Sequence, residues 1–153
     1  MTILLSRLVL CTTMTLLHLW AGVPAWTSNS YQPGDRLRAM QGVDFTKPSA
    51  TLVIFVREDC ATCASSMEFY KSLTSTEHRA RIVAMSYDAP ETLSKYLAAH
   101  GFEPDQAVSV PQDSLRIDKT PTLLLVGRDS TISKVWNGAL LPRDEEDVLR
   151  NIR

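Results

Sequence analysis

Continuous apolar runs alternate with helix-spaced apolar positions along most of this chain. Residues 52–56, Leu-Val-Ile-Phe-Val, form a β-branched run that is typical of a strand buried on both faces of a mainly parallel sheet. Apolar residues then recur at helical spacing over residues 61–73, and a second apolar run occupies residues 81–86. A parallel strand that returns through a helix completes a βαβ unit. The pattern therefore predicts such a unit over residues 52–86.

The later part of the pattern predicts a helix, a short strand, an antiparallel hairpin and a last helix. These elements are expected over residues 90–101, 108–110, 122–136 and 143–152. Pro90 suits the start of a helix and Gly101 its end. The hairpin is predicted because two apolar runs are separated only by Gly-Arg-Asp-Ser, residues 127–130. Before the first strand, residues 33–49 predict an irregular or hairpin-like segment with Leu37 and Met40 as its apolar contacts.

The first 25 residues resemble a secretory signal peptide. Arg7 gives a positive start, residues 8–20 are mainly apolar, and small residues precede the bond after Ala25. We expect cleavage there, which leaves residues 26–32 as a linker and residues 33–153 as one domain.

An uncleaved membrane anchor is the alternative, because the apolar stretch is almost long enough to span a bilayer core of about 30 Å. The polar residues within it make that stretch a poor span; they are Thr12, Thr13, Thr15 and His18. Lipidation of Cys11 is disfavoured because Leu10 is too large to precede a lipidated cysteine.

The charge balance gives no electrostatic reason to expect a nucleic-acid partner. Loss of Arg7 with the signal lowers the 16 basic residues to 15, against 17 acidic residues. The remaining length is enough for one domain, which we expect to be a monomer. Its only cysteines are then Cys60 and Cys63.

The motif Cys60-Ala61-Thr62-Cys63 directly follows the first predicted strand and opens the first predicted helix. A thiolate at a helix N-terminus is stabilised by free backbone N–H groups, which makes such a pair suitable for redox chemistry. The first cysteine lies at the exposed end of the helix and the second lies one turn further in. Cys60 is therefore predicted to be the nucleophile and Cys63 the resolving cysteine.

Three other interpretations of the pair are open. A structural disulfide is disfavoured because so short a loop removes little entropy from the unfolded chain. A structural zinc site needs four ligands, and only His78 and His100 accompany the pair after the signal. No metal is therefore predicted. The third interpretation is a related scaffold that has lost its activity.

Several further features resemble extracytoplasmic thioredoxin-like proteins of the TlpA type, which share the redoxin domain with peroxiredoxins. The likeness covers nearly all of residues 31–153. The matching segments are Pro33-Gly34-Asp35, the strand before the cysteine motif, Ser86-Tyr87-Asp88, the helix from Pro90 to Gly101, the run from Lys119 to Val126, and Trp136-Asn137-Gly138.

The resemblance implies an α/β fold of the thioredoxin-like class, with a central mixed β-sheet flanked by helices. It also implies an extra helix in the middle and a cis-proline before the terminal β-hairpin. Pro121 matches that proline, so Thr120 and Pro121 are expected to bind substrate beside the disulfide. The groove around them is expected to be mostly apolar and backbone-lined, which favours an extended peptide.

The implied function is that of a thiol-disulfide oxidoreductase, with the redox-active Cys60–Cys63 disulfide and no cofactor. Protein thiols and disulfides are its expected partners, together with a membrane-bound electron donor. The resemblance further implies a reductant exported to the bacterial periplasm.

Departures from the family pattern surround the motif. Asp59 replaces the usual tryptophan, and Ala61-Thr62 replaces the frequent proline between the cysteines. Ile54 and Ser66 stand where family members carry acidic residues, although Glu68 lies near in sequence. These changes raise the question of what accepts the proton of Cys63.

Two other functions are weighed against the redox enzyme. A thiol peroxidase would need a Pro-x-x-x-Thr/Ser-x-x-Cys pattern, which neither Cys60 nor Cys63 has. A Cu(I)-binding assembly factor would grip copper with the two thiolates, but it would normally add a histidine near the site.

Overall fold

The structure is a computed structural model and describes residues 30–112 and 114–153. The predicted signal peptide, residues 1–25, lies outside the described residues, as do residues 26–29 of the predicted linker. Within the described ranges, no helix is both long and apolar enough to cross a bilayer.

Strands and helices follow one another in nearly the predicted order. They are β1 (Ala50–Phe55), α1 (Ala61–Ser65), α2 (Met67–Ser75), β2 (Arg81–Ser86), α3 (Pro90–Ala99), β3 (Gln106–Ser109), β4 (Thr122–Gly127), β5 (Ile132–Asn137) and α4 (Pro142–Ile152).

The strands form one mixed sheet in the order β3-β2-β1-β4-β5. β1 lies at the centre, parallel to β2 and antiparallel to β4, with Val53 opposite both Val83 and Leu124. β3 is parallel to β2 at one edge, and β5 is antiparallel to β4 at the other. The predicted βαβ unit, the extra helix and the terminal hairpin are confirmed. Because β1 is central, its carboxyl end places the cysteine motif at the middle of one sheet edge.

The single helix predicted over residues 61–73 is wrong, because the helix breaks at Ser66. The hydroxyls of Ser65 and Ser66 both donate to the carbonyl oxygen of Thr62, each at 2.9 Å. The Ser66 N–H instead bonds the Cys63 carbonyl at 3.1 Å. Serine hydroxyls that compete for a helical carbonyl are a known cause of bends. α1 is therefore only five residues long.

The sheet separates two hydrophobic cores. On one face, alternate residues of β1 such as Leu52 and Ile54 pack against Cys63 and the four helices' apolar residues. On the other face, Val53 and Phe55 pack against the N-terminal segment and the loop after β3. Period-two alternation in β1 assigns neighbouring residues to opposite cores.

The N-terminal segment is part of the domain from its first described residues. Leu37 is buried as predicted, and Met40 pairs with Val43 in a hairpin-like bridge. Ser30 and Tyr31, which the sequence analysis assigned to the linker, are also buried, with Tyr31 only 3% exposed. The packed domain thus includes the end of the predicted linker, because the Tyr31 ring fills part of the second core.

Candidate active site

Cys60 occupies the N-cap of α1 and is joined to Cys63 by a disulfide bond, with the two Cα atoms 5.2 Å apart. Its backbone is extended, and its Sγ accepts a hydrogen bond from the Cys63 backbone N–H at 3.0 Å. An N–H aimed at sulfur favours the negatively charged form of a thiol. α1 is short, so its own macrodipole is weak. The direct hydrogen bond from the Cys63 N–H is therefore the main source of thiolate stabilisation at Cys60.

The two sulfurs differ in access. Cys63 is fully buried within the first core, whereas Cys60 is half-buried at its edge. A protein thiol or disulfide that approaches from solvent can therefore reach Cys60 before Cys63. This asymmetry agrees with the predicted order of attack.

Thr120 and Pro121 lie directly against the disulfide. The Thr120 carbonyl oxygen is 3.5 Å from Cys60 Sγ, and the Thr120–Pro121 peptide bond is cis. The Gly138 N–H donates to the Pro121 carbonyl at 2.7 Å, which ties this loop to the end of β5. The structure thus brings together the four residues that the sequence analysis placed at the site.

Hydrogen bonds of Thr122 fix the same loop from its other side. The Thr122 hydroxyl is 2.7 Å from the Lys119 carbonyl oxygen and 2.9 Å from Asn137 Oδ1. Thr122 is buried, so these contacts are shielded from water. They hold the backbone of Thr120 in place beside Cys60.

The acidic flank of the motif is offset by an arginine. Arg57 pairs with Asp59 at 2.9 Å, and both side chains reach solvent. An exposed pair of this kind contributes little to stability. The guanidinium offsets the charge of the carboxylate that precedes Cys60 in sequence.

Asp88 anchors the turn that carries Cys60, a role that sequence reasoning missed. Its Oδ2 accepts hydrogen bonds from the Glu58 N–H at 2.9 Å and from the Ser86 hydroxyl at 2.8 Å. Asp88 follows β2, whereas Glu58 follows the neighbouring β1. One carboxylate thus links the carboxyl ends of two adjacent strands. The only sequence signal was the Ser86-Tyr87-Asp88 match.

Within the described ranges, no buried residue carries a carboxylate, and the buried polar residues are serines and threonines. Ile54 is fully buried and Glu68 is exposed. Tyr70 and Tyr96 share the core with Cys63, but burial raises the pKa of both phenols. Both remain protonated near neutral pH, so neither is a ready base for Cys63.

The contacts given for His78 and His100 are with residues other than the cysteine pair. His78 Nδ1 is 2.6 Å from the Ala80 carbonyl oxygen, and the His100 ring packs edge-on against Tyr96 at 4.8 Å. Across the part of the chain that the structure describes, no three Cys, His, Asp or Glu side chains are placed to hold a metal ion.

A small pocket of about 130 Å³ adjoins Thr120. It is lined mostly by polar side chains, among them Arg57, Asp118 and Lys119, with Tyr87 and Ile117 beside them. Cys60 and Pro121 are not among its lining residues, so this depression lies beside the predicted groove, whose apolar character stays a prediction. Side chains from the turns before Cys60 and before Thr120 meet there, and both turns are rich in charged residues.

Neither a protein-family model nor a curated protein sequence matches this chain. Solved structures do resemble it. A protein described as a thiol:disulfide interchange protein, DsbE, of Chlorobium tepidum is 21% identical with a TM-score of 0.63, covering 79% of this chain and 95% of that one.

Two further structures are similar. The thioredoxin domain of a thiol-disulfide oxidoreductase from Bacteroides vulgatus is 19% identical with a TM-score of 0.60, over 81% of this chain and 100% of that one. StoA of Bacillus subtilis is 16% identical with a TM-score of 0.56, over 68% and 82%. Similarity at this identity establishes the fold, which is thioredoxin-like as the sequence predicted.

Proposed function

We propose that this protein is a thiol-disulfide oxidoreductase that acts on protein thiols and disulfides through Cys60 and Cys63. The observation that carries the proposal is the joint placement of a half-buried Cys60, a buried Cys63 and the Thr120 carbonyl 3.5 Å from the Cys60 sulfur. The thioredoxin-like fold supports it, because solved neighbours with this fold bear the names of thiol-disulfide enzymes.

In the reducing direction, the Cys60 thiolate attacks one sulfur of a substrate disulfide. A mixed disulfide forms, and the other substrate sulfur leaves as a thiolate that takes up a proton. Cys63, after losing its proton, attacks Cys60 Sγ and releases the second substrate sulfur. The pair ends as a disulfide, and two electrons have passed to the substrate.

The Thr120 backbone is proposed to align the substrate. Its N–H and carbonyl would pair with an extended peptide on one side of the disulfide, in the manner of an added β-strand. The charged pocket beside Thr120 would then contact side chains that flank the substrate cysteine. Protein substrates are accordingly favoured over small thiols.

The proposed location is outside the cytoplasm, in a bacterial periplasm. This part rests on the signal-like composition of residues 1–25. In an oxidising compartment, a reductant must itself be reduced after each turnover. A membrane-bound electron donor would serve that purpose.

A redox titration against glutathione tests the proposal and its direction. We expect a reversible two-electron equilibrium with a potential between about −300 and −150 mV, as for a protein reductant. A value above about −150 mV would assign the oxidase direction instead. A pair that resists reduction to well below about −300 mV would behave as a structural disulfide and contradict the proposal.

Peroxide consumption separates this function from that of a thiol peroxidase. The proposed enzyme needs both cysteines to return to its starting state, so Cys63→Ser should not consume hydrogen peroxide catalytically with a small thiol as reductant. Sustained consumption by that variant, absent from Cys60→Ser, would favour the peroxidase.

A further inference from the structure

Three arginines surround Tyr31 in a pocket of about 360 Å³ that is separate from the cysteine pair. The lining residues are Tyr31, Arg36, Arg38, Ser114 and Arg116. Two of the arginines come from the N-terminal segment and the third from the loop between β3 and β4. Pockets of this size are typical of small-ligand sites.

Backbone pairing holds Arg36 and Arg38 on one side of the N-terminal segment. The Ile132 N–H donates to the Asp35 carbonyl at 2.8 Å, and the Leu37 N–H donates to the Ser130 carbonyl at 2.9 Å. Leu37, between the two arginines, is only 2% exposed. Side chains alternate along extended backbone, so burial of Leu37 directs both neighbouring arginines away from the core.

Arg116 is fixed in place by two contacts. Its guanidinium lies over the Tyr31 ring, 4.6 Å from the ring centre, and it pairs with Asp35. A cation over an aromatic face and a carboxylate at its edge restrict the rotamers of a long side chain. The pocket wall is therefore partly preorganised before any ligand arrives.

Two of the three arginines have a carboxylate nearby: Asp35 pairs with Arg116, and Asp129 lies close enough to Arg36 for a coulombic interaction. No carboxylate lines it, and Arg38 makes no ion pair or hydrogen bond within the described ranges. The Ser114 hydroxyl is buried and has no partner among the described residues.

We propose that this pocket binds a doubly charged oxyanion, namely a phosphate group, either free or carried by a larger molecule. Guanidinium groups present paired N–H donors that match phosphate oxygens; Arg38 is free to supply such a pair, and Arg36 and Arg116 add positive charge beside it. The Ser114 hydroxyl would donate to a remaining oxygen. This proposal does not depend on the redox function, because none of the five lining residues belongs to the cysteine site.

Titration calorimetry of the full chain with inorganic phosphate at constant ionic strength tests the proposal. We expect one saturable site, weakened about tenfold or more in Arg38→Gln and further in the double variant Arg36→Gln/Arg38→Gln. Arg38→Lys should restore part of the affinity, because it returns the charge but not the paired donors. Arg143→Gln, at an exposed arginine on α4, is the matched control and should bind as tightly as the native chain.

Vesicles of phosphatidylcholine with or without phosphatidic acid distinguish the two sources of phosphate, because phosphatidic acid presents a phosphate monoester that can carry two charges. For a lipid headgroup, the full chain prefers the anionic vesicles and the double variant loses that preference, although both keep the same residues 1–29. For a free phosphate compound, calorimetry detects the site in the native chain, and the native chain and the double variant show the same vesicle preference. The proposal is overturned if neither phosphate nor vesicle binding depends on Arg36 and Arg38.

Discussion

Asp88 shows how a residue outside the cysteine motif can set the position of the motif. Its carboxylate accepts from the Glu58 N–H, two residues before Cys60, and from the Ser86 hydroxyl at the end of β2. A turn held in this way keeps Cys60 close to the Thr120 carbonyl. The sequence predicted the four site residues from spacing and resemblance, but it could not predict this link, because nothing in spacing says where a carboxylate points.

Replacement of Asp88 should therefore destabilise the protein. Asp88→Ala leaves the Glu58 N–H without its acceptor, and we expect a loss of about 1–3 kcal/mol in the free energy of unfolding, measured with urea. Asp88→Asn should lose less, because an amide oxygen can still accept. Asp118→Ala, at an exposed aspartate in the same region, should change the free energy by less than about 0.5 kcal/mol. If Asp88→Ala and Asp118→Ala lower the free energy of unfolding equally, Asp88 does not anchor the turn.

At the scale of elements, the short α1 and the attachment of α4 are the features that sequence patterns did not reveal. Apolar spacing predicted one continuous helix, because periodicity depends only on the apolar positions. It does not detect serine hydroxyls that form hydrogen bonds to a helical carbonyl group. The helix predicted over residues 143–152 is confirmed as α4. Its attachment through Asp147, which contacts Lys134 and Trp136 of β5, depends on side-chain geometry alone.

The Asp147 contacts predict an acid-dependent part of the stability. Hydrogen bonding by Arg150, aided by Lys134 and Trp136, lowers the pKa of Asp147 below its ordinary value of 3.8. A lowered folded-state pKa means that this stabilisation is complete above the unfolded-state pKa and is lost as pH falls through the folded-state pKa.

Asp147→Asn should lower the urea midpoint near neutral pH and flatten its fall below about pH 4. Other carboxylates with lowered pKa values, such as Asp35 and Asp129, also make the urea midpoint fall at low pH. The variant is therefore compared with the native chain over the same pH range. Glu146→Gln, at an exposed neighbour on α4, should leave the slope unchanged. If the pH dependence of the urea midpoint is the same in Asp147→Asn as in the native chain, the hydrogen bonds and ion pairs of Asp147 do not contribute to stability as proposed.

For the whole molecule, the central β1 explains most of what could be predicted. A continuous apolar run implied burial on both faces, and the parallel β2 followed from the length of the crossover. The segments that pack on the sheet face of Val53 and Phe55 were harder to predict. They are the N-terminal segment and the loop after β3, and neither has a regular apolar periodicity. Tyr31 stands in a polar context that resembles a linker, and only packing revealed it as part of the core.

The molecule as a whole places one accessible sulfur, one buried sulfur and one backbone carbonyl at the carboxyl end of its central strand. That placement is the basis for the claim that the Cys60–Cys63 pair exchanges disulfides with other proteins. The full chain contains a third cysteine, Cys11. A decisive measurement must therefore separate the adducts of Cys60 from those of Cys11.

Trapping with Cys63→Ser in the full chain, expressed in a bacterium and quenched with an alkylating agent, makes that separation. Without Cys63 the mixed disulfide on Cys60 cannot be resolved, so partner proteins should accumulate as adducts that dithiothreitol releases. The double variant Cys60→Ser/Cys63→Ser retains Cys11 and gives the background. Adducts of Cys63→Ser should lie well above that background, with mass spectrometry locating the bond at Cys60. Equal adduct levels in the single and double variants would contradict the proposed disulfide exchange.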